Sequence, residues 1–101
     1  MTDTDIGIVG VPYADGNPIE HMQYLGPRGI RNRSMGYARV HREFGLNPFA
    51  LSRIRDLGDV PMPHVLHPDL AADNAETFFA KVFRAGIVPV SVGGDHSITW
   101  P

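Results

Sequence analysis

Short apolar runs alternate with polar stretches along the chain, and proline or glycine closes each run. Ile6-Gly7-Ile8-Val9-Gly10-Val11-Pro12 is compact, apolar and rich in β-branched residues. That pattern predicts a buried strand of a parallel sheet. The polar stretch Tyr13 to Gly26 is long for a strand–helix connection, and such loops are usually functional or mobile. Gly26 before Pro27 marks a helix start, because proline suits the first helical position. The helix is expected to run to about Arg33 or Met35. Residues 36–53 show no clean period and receive no element. Ile54 to Val60 predicts a second short strand entering a loop, and Pro61, Pro63 and Pro68 forbid regular structure just after it. From Asp69, Ala71, Ala75, Phe78, Phe79, Val82 and Phe83 fall on one apolar face of a helix, which Gly86 ends. Phe78, Phe79 and Phe83 are expected in the core. Ile87 to Val92 predicts a third strand broken by Gly93-Gly94, although Pro89 counts against an interior position because it deletes a ladder bond.

Strand, helix, strand, helix, strand is the order of an open α/β sheet with parallel pairing. The last strand leads into Gly93-Gly94-Asp95-His96-Ser97-Ile98-Thr99, where a further helix should begin, and the chain stops at Trp100-Pro101. Three strands with one face unfinished make a poor independent fold, so residues 1–101 are expected to be a fragment.

Composition narrows the function classes. The 101 residues are 43% hydrophobic and 20% charged, with net charge -2 and no cysteine. A disulfide scaffold, a thiolate metal site and a cysteine nucleophile are excluded. The slightly acidic balance gives no field favouring nucleic acid or anionic lipid. No apolar run approaches the ~20 residues of a membrane span. The opening Met1-Thr2-Asp3-Thr4-Asp5 is acidic where a secretory signal would be basic. The expectation is a cytoplasmic protein that binds neither nucleic acid nor membrane.

In an open parallel sheet, ligands bind beyond the carboxyl ends of the strands. Three segments reach that edge: the loop after Pro12, the turn at Gly58-Asp59, and Gly93 to Ser97. The last carries most chemistry, because two glycines present a carboxylate, an imidazole and a hydroxyl in succession. His96 can ligate a metal through one ring nitrogen, or it is polar surface. Asp95 either orients the loop or caps the helix that follows. His64 and His67 have ligand-like spacing, but flanking prolines keep them off a helix, and they read as loop surface. Asp59 either lines the edge or ends a strand by accepting backbone hydrogen bonds. Arg28 and Arg31 either form bidentate pairs across a contact or belong to an exposed helix face. Glu20 either meets a cationic substrate tail or, with His21, is a solvated loop residue. Gly7 and Gly10 are too little for a dinucleotide fingerprint.

Gly-Gly-Asp-His-Ser at 93–97, after an apolar strand with proline in its middle, resembles the first metal-ligand motif of the ureohydrolases. That family covers arginases, agmatinases and guanidino-acid amidinohydrolases. Gly10-Val11-Pro12 with Asp15 and Gly16 is similar to the family's first strand and loop. Gly26-Pro27 with Ile30-Arg31 and Ser34 is similar to its G-P-x-x-I-R helix start. Asp56-Leu57-Gly58-Asp59 is similar to its D-x-G-D strand end. The Gly-Pro-x-x-Ile-Arg segment favours the agmatinase and guanidino-acid group over the arginases proper.

The resemblance implies an α/β fold, three-layer α/β/α with a mostly parallel sheet, of which residues 1–101 are the N-terminal portion. It implies two manganese ions at the carboxyl edge that activate water to attack a guanidinium carbon, releasing urea. His96 maps onto the first metal-binding histidine. A lone histidine accepts several metals, so nickel or another divalent ion stays open. The remaining ligands belong to Asp-x-His-x-Asp and Asp-x-Asp motifs that this chain does not contain, so 101 residues alone are expected to be inactive. The family implies a small guanidino substrate and a homo-oligomer at full length. The segment Glu20 to Leu25 lacks the arginine often found before Gly-Pro in related enzymes, which leaves the substrate open. The alternative is a truncated, non-catalytic homologue acting as a binding or assembly subunit, with Ile87–Val92 exposed at a sheet edge.

Overall fold

The computed structural model describes residues 3–14, 22–35, 40–62 and 68–99. The elements follow the chain as β1 (Ile6–Val11), α1 (Gly26–Ser34), α2 (Pro48–Leu51), β2 (Ile54–Asp59), α3 (Pro68–Arg84) and β3 (Val88–Gly93), with 3-10 turns at Gln23–Leu25 and His96–Thr99. All three predicted strands and both predicted helices are present. Two details differ. The four residues of α2 fall where the sequence shows no period: Asn47 Oδ1 accepts the Phe49 N–H (3.0 Å), and Pro48 fills the first helical position. Pro68, expected in irregular chain, instead opens α3, where its missing N–H costs nothing.

The sheet is parallel, in the order β2-β1-β3, so β1 is central and the fold is α/β. Pro89 pairs opposite Gly7. It takes no bond from the β1 ladder, because Val88 is the residue whose N–H faces β1, donating to Asp5 O at 2.9 Å. Successive amides alternate sides, so the Pro89 nitrogen faces away from β1.

Helices lie on both faces, α3 over one and the short α1 at the carboxyl end of the other. On one side, Val9, Val11, Tyr13 and Val60 are buried against Ala71 and Ala75 of α3, with Leu57, Met62, Phe78, Phe79 and Ile98 packed around them. Phe83, expected in this core, is 64% exposed. Ala71, Ala75, Phe78 and Val82 share one line down α3, and Phe83 lies roughly 110° around the helix from it. On the other side α1 is held close: a Cβ on Gly10 would sit 3.0 Å from Pro27 Cβ. Two ion pairs tie the residues before β1 to β2 and to Arg53 just ahead of it. Arg53 engages Asp5 through Nη2 (2.8 Å) and Nε (3.1 Å), and Arg55 Nη2 engages Asp3 (2.6 Å). The hydrogen bonds from the Arg53 side chain and backbone hold the Asp5 carboxyl at about 2. Among the described residues no helix is long and apolar enough to cross a membrane.

Candidate functional site

The chain leaves β1 toward β2 on one side and enters β3 on the other, so the carboxyl ends of β1 and β3 flank the point where strand order reverses. Ligand sites of open α/β sheets form at such points. Two loops meet there. After β1, the Tyr13 N–H turns back to Val11 O (2.8 Å), and Tyr13 O accepts the Asp95 N–H (2.9 Å). The loops are therefore joined backbone to backbone.

Gly93-Gly94 fits this junction for steric reasons. Gly94 has φ +86°, and a Cβ on it would lie 2.5 Å from Val11 O and 2.6 Å from Tyr13 O. Its N–H donates to Gln23 O at 3.3 Å, tying the loop to the turn that precedes α1. The Gly93–Gly94 peptide is cis. Asp95 does the capping its position predicted: Oδ1 accepts the Ser97 N–H (2.9 Å) and the Ser97 hydroxyl. Thr99 Oγ1 donates to His96 O (2.9 Å), closing the short turn. Ile98 packs against the core. The result is a loop fixed through its backbone and through Ile98, with His96 left exposed.

A second polar cluster lies at the end of β2. Arg31 of α1 forms a bidentate pair with Asp56 (Nε–Oδ2 2.7 Å, Nη2–Oδ1 2.9 Å) and reaches Asp59 Oδ1 with Nη1 (2.5 Å). The Arg31 hydrogen bonds hold the Asp56 carboxyl below the usual carboxylate range and raise the guanidinium above its own. Positions 56 and 59 would face opposite sides of a regular strand. Gly58, at φ +82°, adds a residue to β2, so that Ile8 pairs with Asp56 and Gly10 with Asp59. This bulge aims both carboxylates at one guanidinium. Of the two readings of Arg31, bidentate pairing is the one present, made within the chain. Asp59 gives its carboxylate to Arg31 at the sheet edge. A groove of about 790 Å³ lies under α1 between Ile8, Ile30, Phe49 and Ile54, and takes no residue from the Gly93–Ser97 loop. Glu20, His21, His64 and His67 lie outside the described residues, as do Asp15 and Gly16.

As a metal donor set, His96 offers one accessible imidazole. Among the described residues no three His, Cys, Asp or Glu side chains group as a cage. A bound ion needs several donors, so these residues fit a share in a metal site, with the other donors to come from outside them.

A family model described as the arginase family matches residues 4–101. A guanidinopropionase from Pseudomonas aeruginosa is 38% identical over 96 residues, covering 95% of this chain and 30% of that protein. The crystal structure of a hypothetical agmatinase from Burkholderia thailandensis superposes with a TM-score of 0.88 at 25% identity, over 97% of this chain and 31% of that one. A Trypanosoma cruzi formiminoglutamase solved with Mn2+ shares the fold, with a TM-score of 0.75 at 21% identity over 96% of this chain and 33% of that one. The chain thus spans about 30% of the length of the curated relatives it matches.

Proposed function

The chain belongs to the arginase family, and on that footing we propose that it is the N-terminal portion of an amidinohydrolase releasing urea from a small guanidino compound. Water adds to the guanidinium carbon, the C–N bond to the substrate's alkyl nitrogen breaks, and that nitrogen leaves as an amine after taking a proton. The observation that carries the reading is the exposed imidazole of His96, held on the capped Gly93–Ser97 loop at the carboxyl edge. His96 is one donor to a divalent metal site, and manganese, as a pair of ions, is the metal we assign. Bound there, the metal supplies the lowered water pKa and the charge stabilisation that attack on a guanidinium carbon needs. The chain's own part is to fix the donor: Asp95 and Ser97 order the turn, and Tyr13 and Gln23 anchor its backbone.

The similarity to a guanidinopropionase and to agmatinases favours a substrate with a short carbon chain on the guanidine, ending in a carboxylate or an amine. On the same reading the full-length protein is a cytoplasmic homo-oligomer. Val88 and Val90, 61% and 49% exposed on β3, are then covered by the rest of the domain. The test is urea release by the full-length protein, loaded with manganese, from guanidinopropionate, guanidinobutyrate, agmatine and arginine. The expected result is turnover of at least one of the first three ahead of arginine. Absence of urea from all four would overturn the proposal.

A further inference from the structure

The geometry points to Arg31 as a positioning residue for the Gly93–Ser97 loop, acting through α1. The inference rests on the reading of His96 as a metal donor.

Helix α1 touches the ends of all three strands. At its N-terminus, Gly26 lies directly on the Gly93 carbonyl, so closely that a Cβ would overlap the oxygen. Just before it, Gln23 O accepts the Gly94 N–H. The start of α1 is therefore one wall of the loop carrying His96. Five residues on, Arg31 joins Asp56 and Asp59 of β2 with three hydrogen bonds. Asp59 in turn leans on β1: a Cβ on Gly10 would collide with its carboxylate, and the Val60 N–H donates to Gly10 O (2.8 Å).

Among the described residues, α1 has little apolar anchorage. It has nine residues, fewer than an isolated helix needs to persist in water, and Pro27 is its one buried residue. Ile30 is 55% exposed, and a Cβ on Gly29 would meet nothing within 4 Å. With so little apolar anchorage, the Arg31 fork sets where the helix sits along the sheet. The wall that Gly26 presents to Gly93 moves with it. A lysine keeps the charge but cannot span two carboxylates as the planar fork does.

The experiment uses the full-length protein and three variants: Arg31→Met, Arg31→Lys and His96→Ala. Manganese affinity is measured by chelator competition, and amide hydrogen exchange is measured on the metal-free protein. Both Arg31 variants are expected to weaken manganese binding by about tenfold, the lower end of what losing a direct hydrogen-bond partner of a metal ligand costs, because Arg31 acts at one remove. In both, exchange over residues 93–97 is faster while the Ile8–Val9 amides keep their protection, which a general loss of stability would not leave intact. If Arg31→Met does not fold, Arg31→Lys decides. Unchanged manganese affinity and unchanged exchange at 93–97 in the Arg31 variants, with His96→Ala losing manganese, would overturn this inference alone. Unchanged manganese binding in His96→Ala would overturn the metal reading and this inference with it.

Discussion

Gly94→Ala is expected to lower the unfolding free energy by about 3 kcal/mol. A non-glycine residue held at positive φ costs about 1–2 kcal/mol, and Gly94 sits at +86°. The rest comes from contact, because the new methyl would stand 2.5 and 2.6 Å from the carbonyl oxygens of Val11 and Tyr13. Both obstacles are backbone, so no rotamer change relieves them. Relief requires the loop to lift, which breaks the Asp95 N–H to Tyr13 bond and the Gly94 N–H to Gln23 bond. Urea denaturation measures the change, and a shift under about 1 kcal/mol, less than the backbone conformation alone should cost, would show that the two loops are not in contact.

Val9→Ala is expected to cost about 2–3 kcal/mol. Val9 is fully buried in the central strand and belongs to the core cluster that includes Ala71 and Ala75 of α3. Removing two methyl groups loses about 0.8 kcal/mol of transfer energy per carbon and adds a cavity that packed strands cannot close. Phe83→Ala, a larger deletion, is expected to stay within about 0.5 kcal/mol, as exposed positions do. The pair of variants ranks burial against size. A Phe83→Ala cost above that of Val9→Ala would mean that α3 turns Phe83 rather than Ala71 and Ala75 toward the sheet.

That contrast also shows where the sequence was readable. The strands announced themselves because β-branched runs ended at proline or glycine, and α3 because four apolar residues recur along one line. Phe79, one step around, still packs on the core, whereas Phe83, one step further in the same periodic set, falls beyond the sheet. Helix α2 left only a local signal, Asn47 before Pro48, too short for any period to show.

The site divides in the same way. His96, Asp95 and Ser97 stood in one motif, so their neighbourhood was legible residue by residue. The partnership of Arg31 with Asp56 and Asp59 was not, because 25 and 28 positions separate the partners and alternation along β2 would set the two carboxylates on opposite faces. Gly58 was the available clue, since a glycine inside a short strand often marks a bulge. For the proposed metal site this loop offers His96 alone, because one loop of one sheet edge supplies only one imidazole.

The decisive measurement is the manganese content of the full-length protein with and without His96→Ala, each shown to be folded by circular dichroism. A folded variant that has lost most of its manganese is the expected outcome, placing the Gly93–Ser97 loop at the metal centre. A folded variant with the full manganese content of the parent would contradict that placement, and with it the function drawn from the loop.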